Sequence, residues 1–198
     1  MGDDPLGSLW ETWRDSTFRP SRFFAQLPPR NGYLAPVGYL LIVSVIGALF
    51  TLFWQVLFAS AGVAFLTGGL GRGENPFLDA LLSFFLTPFA VLLLLFVWGA
   101  IVHLLLKVAS GAQGGFQATI RAVCYSAGPS LFAIIPVLGG LAGVVWSIVL
   151  EIIGLRQVHR TSSGKAAFAV LLPLFGCLTL VVTGVVLAVV LGVALAVQ

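Results

Sequence analysis

Charge is scarce in this chain: only 9% of its 198 residues are Asp, Glu, Lys or Arg. A soluble domain carries about 25%, so a water-soluble fold of this size could not cover its surface. The net charge of +3 is small and its basic residues are scattered, which excludes the clustered basic footprint that nucleic acid requires. Cysteine is also rare. Cys124 and Cys177 lie far apart, each inside an apolar run, so neither a disulfide framework nor a metal site is supported; both read as small apolar fillers. Catalytic signatures are missing too: there is no Gly-x-Ser-x-Gly and no His-Glu-x-x-His. No cofactor is expected, and no enzymatic activity. The first thirty residues carry Asp3 and Asp4 and no apolar signal region, so insertion is expected to begin with the first internal span.

What the chain has is apolar length. Hydrophobic residues make up 59% of it and the mean hydropathy is +1.08. Residues 34–61 carry no charge, nor do residues 122–150 or 166–198. A transmembrane helix needs about 20 apolar residues. The expected fold is an all-α, polytopic transmembrane helical bundle of about five spans, at 34–61, 77–106, 117–135, 138–156 and 166–197. Pro88 and Pro173 each remove a backbone hydrogen bond within a span. Gly128-Pro129, Pro136 and Gly139-Gly140 break up the third uncharged region and predict a hairpin turning near 136–140. That hairpin crosses fully or stays re-entrant; both arrangements fit the charge pattern. The last segment, about 50 Å long as a helix, exceeds the bilayer core.

Residues 1–33 form a cytoplasmic or interfacial segment ahead of the spans. Leu6, Leu9, Trp10 and Trp13 fall at helical spacing, and Pro20 opens a second short helix carrying Phe23, Phe24 and Leu27. With interleaved arginines, this pattern fits a helix lying in the membrane interface; the alternative is packing of its aromatics on the protein itself. The Gly-rich connection around Gly68–Gly73 is not a phosphate loop, because no Gly-Lys-Ser/Thr closes it.

Orientation follows from the basic residues, which stay cytoplasmic. With the N-terminus inside and the C-terminus outside, nine of the ten lie inside or at the inner edge: Arg14, Arg19, Arg22, Arg30, Lys107, Arg121, Arg156, Arg160 and Lys165. Arg72 alone lies outside.

Ionisable residues at membrane depth are costly and are functional candidates by default. His103, Lys107, Arg121 and Glu151 converge near the inner face. The hairpin returns Arg121 and Glu151 to similar depth, so Glu151 is expected to pair with Arg121, with Lys107 the second choice. Such a cluster either only fixes the hairpin or lines a polar pocket for a lipid headgroup or small anion. Gly184, Ala188, Gly192 and Ala196 repeat every four residues and form a candidate helix-packing ridge, with Gly139 and Gly143 a shorter one. A ridge of this kind serves either packing within the monomer or association with another copy.

Several stretches resemble the Yip domain family, the Ypt/Rab-interacting-protein-like membrane proteins, and its prokaryotic members in particular. They are Arg19-Pro-x-x-Phe-Phe24, His103 with Lys107, and Gly114-Gly-Phe-x-x-Thr-Ile-Arg121 leading to Tyr125 and Pro129. Ile135-Pro-x-x-Gly-Gly140, Trp146, Gly154-Leu-x-x-x-His159 and Ser163-x-Lys-Ala166 follow. The resemblance implies five spans, a cytoplasmic N-terminus and a prokaryotic cytoplasmic membrane. Eukaryotic relatives are associated with Rab GTPases, but the Asp-Leu-Tyr-Gly-Pro motif and the long N-terminal region of those relatives are not found here, which makes a Rab-type GTPase a doubtful partner. The expected partners are the lipid bilayer and other membrane proteins or a second copy. The expected role is a non-enzymatic membrane organiser or adaptor, with a small transporter or lipid-handling protein as the alternative.

Overall fold

The computed structural model describes residues 5–28, 32–60 and 76–196, all of it helix and connecting turns. Arg30, Arg72 and the Gly-rich connection before Glu74 lie outside the described residues. Among the described residues seven α-helices run in order: α1 (Pro5–Phe18), α2 (Pro20–Ala25), α3 (Leu34–Ser60), α4 (Pro76–Val108), α5 (Gly115–Tyr125), α6 (Leu138–Val158) and α7 (Ser163–Ala196). A 3₁₀ helix, Gly128–Ile134, links α5 to the turn before α6.

Four of these helices, α3, α4, α6 and α7, are long and apolar enough to cross a membrane. Proline starts α2 and α4, where its missing N–H costs nothing, and Asp79 faces the N-terminal dipole in the first turn of α4. Pro88 and Pro173 both lie inside continuous helices.

The region expected as a third crossing is built differently. α5 stops at Tyr125 because Pro129 has no N–H for the Tyr125 carbonyl, and its ring would clash there. The backbone tightens into the 3₁₀ helix and turns at Val137, which has φ 61°. Together the two pieces supply about 30 Å of helix, the thickness of the hydrocarbon core. They pack between α3, α4 and α6.

The bundle has two distinct ends. The α4–α5 and α6–α7 connections meet at one: Lys165 Nζ donates to the Ser110 carbonyl at 3.2 Å, and Gly114 N–H donates to His159 at 3.0 Å. At the other, Trp54 Nε1 donates to the Ile134 carbonyl at 3.2 Å. The tight core lies in the half toward the first end. Val102, Leu106, Ala122, Leu155, Ala166 and Val170 are fully buried there, beside a second cluster of Leu40, Leu95, Ile120 and Cys124. Toward the second end the helices present Phe53, Phe85, Phe89 and Leu180 outward, as a bilayer solvent requires.

α1 and α2 turn much of their apolar surface to the protein. Phe24 is 1% exposed and packs with Tyr39, Val43 and Tyr125. Trp13 Nε1 donates to the Gly128 carbonyl and Trp146 Nε1 to the Thr17 carbonyl, both at 2.9 Å. Leu6, Trp10 and Phe18 keep an outward apolar edge.

Gly139 and Gly143 let α6 lie directly on the 3₁₀ helix. A Cβ at Gly139 would overlap the Phe132 carbonyl, and one at Gly143 would sit 2.7 Å from the Pro129 oxygen. Neighbouring Gly140 faces open space. Gly139→Ala is therefore expected to cost about 2 kcal/mol through overpacking, while Gly140→Ala is neutral or stabilising by up to ~1 kcal/mol. Thermal unfolding of the two variants in detergent checks this, and equal midpoints would contradict the packing.

Candidate functional site

Three helices bring polar side chains together near the first end of the bundle. His103 comes from the last turns of α4, Thr119 from α5, and His159 from the residue that ends α6. Thr119 and His159 are fully buried and His103 nearly so. His103 Nδ1 lies 2.8 Å from Thr119 Oγ1, which lies 2.9 Å from His159 Nε2.

The direction of this chain follows from its far end. A backbone N–H only donates, so the Gly114 bond makes His159 Nδ1 an acceptor. Neutral His159 then carries its hydrogen on Nε2 and donates to Thr119. The Thr119 hydroxyl donates onward to His103 Nδ1, leaving the His103 hydrogen on Nε2. Burial, and secondarily the neighbouring His103, push the His159 pKa down to about 4.

The four residues singled out in the sequence divide among separate environments. His103 joins the chain just described. Lys107, one turn further on, is exposed. Arg121 is buried and donates from Nη1 to the carbonyl of Pro28, beyond the end of α2. Glu151 is 8% exposed and accepts from Trp98 Nε1 at 2.7 Å. The expected Glu151–Arg121 pair does not form, nor does Glu151 bond Lys107. The two partners share a depth but not a direction, because Arg121 serves the carbonyl left unmet where the N-terminal segment leaves its helix.

The ridge on α7 is open: among the described residues nothing lies within 4 Å of a Cβ at Gly184, and Ala188 is exposed. The side chains at 192 and 196 lie outside the described set.

A family model, the Yip1 domain, matches residues 14–186. The chain belongs to the Yip1 domain family. No curated protein and no solved structure matches it. The match takes in the last turn of α1, all of α2, the His103–Thr119–His159 chain and the Glu151–Trp98 pair. Two residues of this domain's interior carry no weight as site residues in the sequence. His159 and Thr119 stand in the stretches that resemble the family, 40 positions apart. Trp98, the donor to Glu151, lies in no such stretch and has no sequence signal at all.

Ordinary imidazole titrates near 6.5, above the folded value for His159. The unfolded Yip1 domain thus takes up the extra proton between about pH 6.5 and 4, and stability, complete above that window, falls as pH drops through it. The thermal midpoint in detergent is expected to fall over this interval. His159→Gln, whose amide can accept from Gly114 and donate to Thr119, is expected to make the fall shallower. Thr119→Val keeps the shape but orphans both imidazoles, at about 1–3 kcal/mol for each unmet group; a midpoint equal to wild type would contradict the chain of bonds.

Proposed function

We propose that this Yip1-domain protein is a non-enzymatic membrane organiser or adaptor, inserted with its N-terminus in the cytoplasm and its C-terminus outside, in a prokaryotic cytoplasmic membrane. The distribution of basic residues supports the orientation. One observation carries the organising role. Among the described residues of α7, the fully buried ones lie in its first turns, Ala166, Ala169 and Val170. From Phe175 to Val190 every described side chain is exposed, on all faces of the helix. Within that stretch Gly184 and Ala188 form a small-residue seam that lets a second helix approach closely.

A second reading, a small transporter or lipid-handling protein, draws support from cavities lined by Glu151.

Cys177 provides a native reporter, because it is exposed on this arm while Cys124 is buried. Thiol-specific cross-linking in native membranes is expected to join α7 to a second copy or to a stoichiometric membrane protein. Gly184→Leu with Ala188→Leu is expected to lower that yield several-fold without changing the amount of folded protein. Only the uncross-linked single chain, at any reagent concentration, would argue against the organising role.

A further inference from the structure

Two side cavities meet at a single carboxylate. One, of about 330 Å³, lies between α3 and α4, with Leu40, Ser44 and Leu94 in its wall. The other, of about 360 Å³, lies on the α7 side, with Val144 and Leu174 in its wall. Both are also lined by Trp98, Ser130, Ser147 and Glu151. Leu94 and Val144, at the rims, are well exposed on the apolar flank of the bundle, so each cavity opens sideways.

We propose that Glu151 and Trp98 form the binding site for a lipophilic organic cation: one positive charge on an apolar body, entering from the flank. Glu151 is more than nine-tenths buried and its Oε1 is held by the Trp98 indole N–H. Its other oxygen has no protein donor among the described residues, and Arg121, the basic residue at comparable depth, is committed to Pro28. An isolated carboxylate at hydrocarbon depth is costly, so it stays ionised only when a positive charge reaches it. The walls define that charge. Apart from Glu151, the polar side chains of the walls are Ser44, Ser126, Ser130, Ser147 and the Trp98 indole, with no second carboxylate to balance the charge of a hard divalent ion. The rest of the walls, Leu40, Val91, Leu94 and Leu95 on one side and Val144, Ile148 and Leu174 on the other, suits hydrocarbon, and an indole face attracts a cation lying against it. Cavities of this volume fall within the range of small-molecule sites.

The inference rests on the second functional reading and names its ligand class. The shared chemistry, a cationic head on an apolar body, is met by a free hydrophobic cation or by an amine-bearing lipid. Tritiated tetraphenylphosphonium is the probe, with the full chain purified in a maltoside detergent that carries no amine. Equilibrium dialysis is expected to give saturable binding near one per chain. Glu151→Gln is expected to weaken it at least tenfold. Ser147→Leu, which fills the shared wall and leaves the carboxylate in place, is expected to do the same with an unchanged thermal midpoint; it decides the matter if Glu151→Gln folds poorly. Displacement of the probe by added phosphatidylethanolamine identifies a lipid source, and its persistence identifies a free solute. Absence of saturable binding to the wild type, or wild-type affinity in a folded Glu151→Gln or Ser147→Leu variant, would overturn the site. Uptake of the probe into liposomes is a separate measurement: binding without uptake keeps the site and removes transport.

Discussion

Hydrocarbon offers no hydrogen bonds, and the rest of this structure depends on that constraint. A polar group carried into the bundle is costly unless it finds a partner inside the protein or loses its charge; among the described residues only Thr17 Oγ1 and Arg121 Nε are buried side-chain atoms with no hydrogen bond. The helices meet the demand for the backbone. Where they fail, side chains fill in. Pro129 ends α5 and the 3₁₀ helix takes over; Trp54 and Trp13 then donate to carbonyls at its two ends, Ile134 and Gly128. The His103–Thr119–His159 chain does the same for three titratable or hydroxyl groups at once, and it ties α4, α5 and α6 together.

The N-terminal helices belong to the same solution. The 3₁₀ helix and the glycine face of α6 leave a shallow surface, and α1 and α2 cover part of it. Phe24 packs on Gly154, where a Cβ would lie 3.0 Å from its ring. Phe23, Tyr39 and Tyr125 form an aromatic set with centroids 5.1 and 5.2 Å apart across α2, α3 and α5. Arg121 closes the arrangement by holding the Pro28 carbonyl. What reads in the sequence as an amphipathic segment is therefore divided: Trp13, Phe23 and Phe24 turn inward, while Leu6, Trp10 and Phe18 remain on the outside.

The membrane bundle was legible because charge-free runs of such length have one physical meaning. The turn near Pro136 and the glycine contacts of α6 were legible for a similar reason: proline and glycine act locally. Pairing was harder. Placing Arg121 and Glu151 at one depth used only rise per residue, whereas pairing needs the azimuth of each helix. That angle is decided by tertiary packing, which no spacing rule reports. Thr119 was hidden by its ordinariness, and Trp98 by its place in a run of apolar residues. Thr119 matters through partners 16 and 40 positions away, and Trp98 through one 53 positions away.

Polar groups are satisfied in a defined order near the first end of the bundle, and the histidines report that order directly. The chain has only two, so nitrogen-15 magnetic resonance of histidine-labelled protein in bilayers at neutral pH resolves each ring without crowding. Both imidazoles are expected to be neutral with the hydrogen on Nε2, and His159 Nδ1 to accept a hydrogen bond. A hydrogen on His159 Nδ1, whether as the other tautomer or as imidazolium, would contradict that order.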